Sequence, residues 1–393
     1  MKSSGMHFRR NIETKVARAI ADGVRTLPEM ITRLPGVFPL EIVKAARAQN
    51  ADILFPARHI SHLKRPERRL ALIPHPLDFD WRFSRQALET LSEILVRLGA
   101  RQRAVYCFGC PTVAHHFTQV LRHPQTHLYD INAGLHSESV YRSWEAGKRC
   151  ALSLSDGIAV ADPPWYQPHF REFIWTVRES CALGTDLLLC GPPAGTRPGC
   201  AAEMRALLKW ADRIGFEVVS HQPFLLPYLM PLFELNTLRA HGVSDVPLDW
   251  RKADLWHLKL CHKPRYRAPR MLPVDQTWQE RKIGPVRVRI RLDGSATVRK
   301  PVSFLPLGNQ GFLDSVSSRG PLRERANVVT SGGRFYVCNR PNDLMEYLEA
   351  RSKQRRCVVK LPADAEKVVA ALIAEETNEA EEYNETVCQF ERR

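Results

Sequence analysis

The stretch "GIAVADPPWYQPHF", Gly157 to Phe170, decides how this chain is read. An apolar run, Ile158 to Ala161, arrives at Asp162 and is followed at once by Pro163, Pro164 and Trp165. A short apolar run bounded by prolines reads as a strand buried on both faces, and in open α/β sheets ligands sit beyond the carboxyl ends of such strands. There a carboxylate accepts hydrogen bonds, two prolines hold an extended turn without donating an N–H, and an indole offers a flat stacking face.

The same kind of run recurs on both sides. From about Pro74 the chain reads "AVYCFG", "THLYD", "GIAVAD", "TDLLLCG" and "GFEVVSH", with helical segments between them. The first helix, "SRQALETLSEILVRLGA", carries Leu88, Leu91, Ile94, Leu95 and Leu98 at helical spacing and stops at Gly99. Strands alternating with helices predict a mostly parallel sheet covered on both faces. The space between Asp130 and Asp162 is short for a full third strand, and "CALSLSD", Cys150 to Asp156, is the candidate to supply it.

The segments flanking this region read differently. Upstream, "TLPE", Thr26 to Glu29, is a capping box, and a second helix is expected from about Pro39. Two short helices followed by Lys64, Arg65, Arg68 and Arg69 fit either a winged helix-turn-helix or an ordinary helical cap. Downstream of about residue 260 the alternation stops. "GPVRVRIRLDGSATVRK" places Arg287, Arg289 and Arg291 on one face of a strand and Val288, Ile290 and Leu292 on the other, and Asp293-Gly294 suggests a hairpin turn. The arginine face is open to two readings, a phosphate-facing surface or a solvated edge. The final acidic helix, with Glu375, Glu376, Glu379, Glu381, Glu382 and Glu385, reads as a solvated face or frayed tail. The expected division is a helical or winged-helix-like domain over 1–73, a Rossmann-like domain over 74–260, and an α+β extension over 261–393 with a basic hairpin and an acidic tail.

Composition bounds the rest. The 393 residues, 44% hydrophobic and 25% charged, describe a globular chain with a substantial core, not a disordered or fibrous one. Fifty-seven Lys and Arg against 42 Asp and Glu leave a formal charge of +15, which suits a polyanionic partner. No apolar stretch approaches the roughly 18 residues of a membrane span. "MKSSGMHFRR" leads into no hydrophobic signal core, so a cytoplasmic location and no membrane partner are expected. Of the 10 cysteines only Cys107 and Cys110 form a CxxC, without the second pair that zinc would need. No metal is expected, and the cysteines read as reduced and structural.

At "VYCFGCPTVAHHF" the glycine and proline, Gly109 and Pro111, allow a sharp turn into a helix and the close backbone approach a nucleotide-like ligand needs. Asp130, one strand later and about 20 residues on, stands where an acid can accept both ribose hydroxyls of an adenosine. A turn glycine and a helix-capping aspartate would leave the same trace. An amino group about to be alkylated must shed bound water and point its lone pair at the electrophile. Asp162 and the Pro163 carbonyl can accept its two hydrogens while Trp165 stacks on a flat heterocycle.

These segments together resemble the class I S-adenosylmethionine-dependent methyltransferases of the N6-adenine type, whose signature is Asp/Asn/Ser-Pro-Pro-aromatic. "VYCFGCPTVAHHF", "THLYDIN" and "VADPPW" are most similar to the compact branch that modifies rRNA adenine or an elongation-factor lysine, over about residues 75 to 235. The resemblance implies a Rossmann-like sheet, S-adenosylmethionine as cofactor, and catalysis by Asp162, Pro163, Pro164 and Trp165. Cys107, Gly109, Pro111 and Asp130 would hold the cofactor, with Asp156 reaching its adenine amino group. The glycine loop departs from the family in carrying Cys107, Cys110 and Pro111 where more glycine is usual. Relatives with this turn methylate adenine in DNA or RNA, glutamine amides or lysine amines. The basic charge, the arginine face and the N-terminal helices point to nucleic acid, with a protein substrate as the alternative. A second resemblance is to branched polyamine synthases, which join a winged-helix-like domain to a Rossmann-like domain with an Asp-Pro-Pro turn and transfer an aminopropyl group. Such a site should be rich in acids, whereas Trp165, Tyr166 and His169 are aromatic or neutral. His115 and His116 read as packing or capping residues, and "LLLCGPPAG", Leu187 to Gly195, as a wall of the substrate cleft.

Overall fold

A computed structural model describes residues 2–49, 73–132, 135, 140–146, 148, 150, 155–271, 277–292, 302–317, 320–353, 355 and 361–391. They gather into two compact units. The first is Met1–Phe55, Arg82–Leu229 and Val246–Pro273, and the second is Pro56–Trp81, Met230–Asp245 and Val274–Arg393.

The first unit opens with α1 (Lys2–Ala21), α2 (Leu27–Arg33) and α3 (Pro39–Arg47). The capping box is formed: the Thr26 hydroxyl accepts from the Glu29 N–H and donates to the Glu29 carboxylate. The basic run Lys64 to Arg69, and any wing, lie outside the described residues. Then come β1 (Arg82–Phe83), α4 (Arg85–Arg97), β2 (Ala104–Phe108), α5 (Pro111–His115, continuing as a π-turn to Val120) and β3 (Thr126–Asp130). After them follow β4 (Tyr141–Ser143), β5 (Gly157–Ala161), α6 (Gln167–Ser180), β6 (Asp186–Gly191), α7 (Cys200–Arg213), β7 (Phe216–Leu229) and β8 (Lys252–Leu260).

The eight strands form one sheet in the order β1-β7-β8-β6-β5-β2-β3-β4. Strands β4, β3, β2, β5 and β6 are parallel, and β8 lies antiparallel between β6 and β7. This is the Rossmann-like α/β sheet that the alternation predicts. Every residue of β2, β5 and β6 is buried, which is why these strands read as unbroken apolar runs. The chain leaves β2 toward β3 on one side and returns to β5 on the other. The crevice of such a sheet therefore lies at the carboxyl ends of β2 and β5.

Two strands differ from expectation. The third strand is Tyr141–Ser143, paired with Leu128 to Asp130, while residues 151–154 of the "CALSLSD" candidate lie outside the described residues. Only Tyr141 in it is buried, so a period-based reading has nothing to detect. Strand β7 runs well past "GFEVVSH" to Leu229, because irregularities between Val218 and Ser220 and between Gln222 and Leu226 accommodate Pro223 and bend the strand.

The second unit contains α8 (Leu232–Ala240), β9 (Trp278–Ile283), β10 (Val286–Arg291), β11 (Phe304–Pro306), α9 (Pro321–Arg325), β12 (Val328–Thr330), β13 (Phe335–Cys338), α10 (Pro341–Ser352) and α11 (Ala363–Glu391). Its antiparallel sheet runs β11-β13-β12-β10-β9. The arginine strand turns back on β9 at Gly284-Pro285, while Asp293 and Gly294 lie outside the described residues.

Neither reading of the arginine face holds. Arg287 is 2% exposed, donates to the Ile73 carbonyl at 2.8 Å and pairs with Asp78 at 2.7 Å and Glu280 at 2.6 Å. Arg289 pairs with the same two acids, and Arg291 lies over Trp278 and donates to the Glu324 carbonyl. The acidic helix is no frayed tail, although Glu381, Glu382 and Glu385 do form a solvated face. Val369, Leu372 and Ile373 of α11 pack on Val286, Val288 and Ile290, and Glu375, Glu376 and Glu379 all pair with the buried Arg334.

Candidate active site

At the end of β2 the chain turns at Gly109 with φ +64°. A side-chain carbon there would meet Phe173 at 3.0 Å and the Asp162 carbonyl oxygen at 3.3 Å, so a strained conformation and crowding both select glycine. The Gly109 N–H donates to the Tyr129 carbonyl and the Asp162 N–H to the Phe108 carbonyl, extending the ladder one step past the strands. Gly109, Asp130 and Asp162 thereby stand side by side at the carboxyl ends of β2, β3 and β5. One Asp130 oxygen accepts from the Asn132 N–H at 2.8 Å, which orients that carboxylate. Phe108, Tyr129, Trp144 and Phe173 form a contiguous aromatic floor, with ring centroids 5.0 to 5.2 Å apart.

Of the remaining cofactor candidates, Cys107 is buried within β2, and its neighbour Cys110 directs its thiol to the Val160 carbonyl. Pro111 starts α5. Asp156 does not join the cluster: it precedes β5, at the amino end of the sheet, where its 59%-exposed side chain pairs with Arg103 at 2.7 Å. Arg103 also binds Asp186 and the Gly157 carbonyl, so Asp156 belongs to a clasp at the amino ends of β2, β5 and β6.

Around Asp162 the fold assembles residues that the sequence did not single out. The Tyr228 hydroxyl, from the end of β7, donates to an Asp162 carboxylate oxygen at 2.6 Å. The Tyr228 ring stacks on Phe83 at 4.6 Å and meets Trp165 at 5.9 Å and 67°. The Arg251 guanidinium lies 5.5 Å from the Trp165 ring and 5.0 Å from the Trp250 ring, so the motif's indole already faces a fixed cation. The Pro164 carbonyl accepts from the Tyr166 N–H at 2.6 Å and closes the turn into α6, whereas no donor among the described residues takes the Pro163 carbonyl. Burial, and then the neighbouring Asp162, push the Tyr228 hydroxyl and the Cys190 thiol well above their usual ranges, so both stay protonated.

Other sequence candidates fall elsewhere. His116 rests against Phe117, and burial lowers its proton affinity; His169 pairs with Glu172 at 3.3 Å. Pro193 of the "GPPAG" loop sits against Gly36 in the turn between α2 and α3, which places that loop on the N-terminal helices. Nothing local marks Tyr228 or Arg251 in the sequence. Tyr228 stands 66 residues beyond Asp162 in a segment whose prolines argue against a strand.

No family model matches this chain, and no curated protein matches it significantly. Among solved structures it is similar to the branched-chain polyamine synthase of Thermus thermophilus in complex with N4-aminopropylspermidine and 5'-methylthioadenosine. The identity is 11%, the match covers 69% of this chain and 95% of that one, and the TM-score is 0.50. The C9 mutein of that enzyme gives 10% identity, the same coverage and a TM-score of 0.51. The likeness is one of fold. Among the described residues no helix is long and apolar enough to cross a membrane, and no group of three or more His, Cys, Asp or Glu side chains could hold a metal ion.

Proposed function

We propose that this chain is an S-adenosylmethionine-dependent N-methyltransferase acting on the N6 amino group of adenine in nucleic acid. The observation that carries the reading is the junction of the Gly109 turn with the Asp162-Pro163-Pro164-Trp165 turn at the carboxyl ends of adjacent strands β2 and β5. The residues present suit the cofactor: the left-handed turn at Gly109 bares the backbone at the end of β2, and Asp130 stands one strand away, where a carboxylate can accept ribose hydroxyls. When bound, S-adenosylmethionine supplies an electrophilic methyl group on a sulfonium. The chain's own residues supply position. Asp162 and the Pro163 carbonyl accept the two hydrogens of the amino group, stripping it of water and turning its lone pair outward, and Trp165 stacks on the ring. No general base is needed, since the proton released after transfer goes to water.

The Arg251 guanidinium over Trp165 favours a neutral ring or a phosphate-bearing substrate over a polycation. The formal charge of +15 supports the same partner, although Arg287, Arg289 and Arg291 no longer contribute to that support. A second reading, aminopropyl transfer to a polyamine, is favoured by the fold match, which takes in 95% of the polyamine synthase chain. Both reactions need a nitrogen held by acceptors.

Incubation with tritiated-methyl S-adenosylmethionine and total RNA, DNA or protein, followed by nucleoside analysis, separates these readings. We expect label in N6-methyladenine that disappears in Asp162→Ala. Trp165→Ala should lose about 10- to 100-fold in substrate capture, the worth of one base–aromatic stack, while Trp165→Phe retains most of it. Label in protein alone would move the substrate to a lysine or glutamine side chain. Aminopropyl transfer from decarboxylated S-adenosylmethionine to spermidine, without methyl transfer to any acceptor, would establish the second reading. Absence of Asp162-dependent transfer of either kind would refute both.

A further inference from the structure

We infer that Tyr228 is the positioning residue of this site: its hydroxyl fixes the Asp162 carboxylate in one orientation and keeps it as an acceptor for the substrate amine. The inference rests on the reading of Asp162 given above. In the sheet, β7 and β5 are separated by β8 and β6. The irregularity between Gln222 and Leu226, with Phe224 at φ 53°, re-aims the last turns of β7, and Tyr228 then reaches Asp162.

Everything about Tyr228 immobilises its oxygen. The residue is fully buried, its ring is stacked on Phe83, and its N–H donates to the Arg251 carbonyl at 2.9 Å. A strand register, Phe83 opposite Tyr228, holds both rings. The 2.6 Å contact has the length of a charge-assisted O–H to carboxylate bond. Such a bond has two consequences. It locks the carboxylate's rotation, so the remaining acceptor positions point in one direction. It also favours the ionised form, which only accepts; a protonated Asp162 would present a donor to the substrate N–H and lose the alignment. A shape-filling aromatic could satisfy the Phe83 stack without a hydroxyl, so the hydroxyl needs a reason of its own.

The titratable and charged groups that act on this carboxylate and its partner include the Cys110 thiol at the start of α5, the Cys190 thiol on β6, Tyr228 itself on β7, and Arg251 before β8. Burial keeps both thiols neutral. Removing the Tyr228 hydroxyl therefore removes a donor to Asp162 and leaves the Arg251 charge in place.

The test is Tyr228→Phe in the full chain, which keeps the ring. We expect kcat for transfer to total RNA or DNA to fall about 10- to 100-fold, with KM and the calorimetric affinity for S-adenosylhomocysteine unchanged. The acid limb of kcat/KM should move up by about one pH unit. A residue that served packing alone would lower stability without moving that limb. In parallel, NMR of isotope-labelled aspartate carboxyls, with the Asp162 signal assigned by Asp162→Asn, should show the midpoint of Asp162 rising in Tyr228→Phe. An unchanged midpoint overturns the inference whatever the activity, as does a wild-type acid limb in an active Tyr228→Phe enzyme. A raised midpoint in a protein that shows no Asp162-dependent transfer instead supports the Tyr228 contact and refutes the functional reading beneath it.

Discussion

Replacing Arg287 by Gln distinguishes a structural arginine from a phosphate-binding one. Arg287 and Arg289 face Asp78 and Glu280, two charges of each sign in one cluster, and Arg287 is the more deeply buried of the pair. Its contact with Glu280 is a hydrogen-bonded ion pair, while the approach to one Asp78 oxygen is a charge contact off the N–H line. Arg287→Gln leaves two carboxylates sharing Arg289. Breaking a buried pair by removing one partner costs about 3 to 5 kcal/mol. Arg289 remains and glutamine can donate to one acid, so the lower end, about 3 kcal/mol, is the expected loss. For a unit of this size that lowers the melting temperature by about 6 to 12 °C. Calorimetric melting measures the stability, and titration with nucleic acid at several salt concentrations measures the partner. The structure predicts a lower melting transition and an unchanged salt slope. A variant that melts like the wild type, while its salt slope falls by about one, would refute the buried cluster and restore Arg287 as a phosphate ligand.

Two further outcomes follow from the same kind of reasoning. Burial pushes Glu376 up to about 7, against the opposing pull of Arg334, Thr330 and the Gly332 N–H. Because the folded chain holds this proton longer than the unfolded chain, the contribution of Glu376 to stability is fully present below about pH 4.5 and falls by about 3 kcal/mol as pH rises to about 7. Glu280, held low by Arg287 and Arg289 despite its burial, acts in the opposite direction and loses its contribution as pH falls. Denaturant midpoints of Glu376→Gln and wild type across this range isolate the first effect, and an identical pH slope in the two proteins would refute it. At the sheet's carboxyl edge, Asp130→Ala should weaken S-adenosylmethionine binding by about 10- to 100-fold in calorimetry, whereas Asp156→Ala should not change it. Equal affinities for Asp130→Ala and wild type would remove Asp130 from the cofactor site.

By itself the sequence determined the central sheet and the position of its crevice. The apolar runs at Ala104, Gly157 and Asp186 are each a strand, because residues buried on both faces of a parallel sheet are apolar almost throughout, and that constraint is local. The Thr26 capping box, the helix from Ser84 and the Gly109 turn were legible for the same reason: each is settled by residues within one turn of one another. Tertiary structure decided what charges and irregular segments do. Arg287 reads as a free cation until Asp78, more than 200 residues upstream, is folded against it, and Glu376 and Glu379 of α11 read as solvated until Arg334 is buried beside them. Strand β4 has almost no buried face to betray it, and β7 continues through prolines that locally forbid a strand because its bulges relieve them. Tyr228 could not be joined to Asp162 from the sequence at all. Their contact depends on how far a bent strand carries a hydroxyl across the sheet, and no period, spacing or composition encodes that distance.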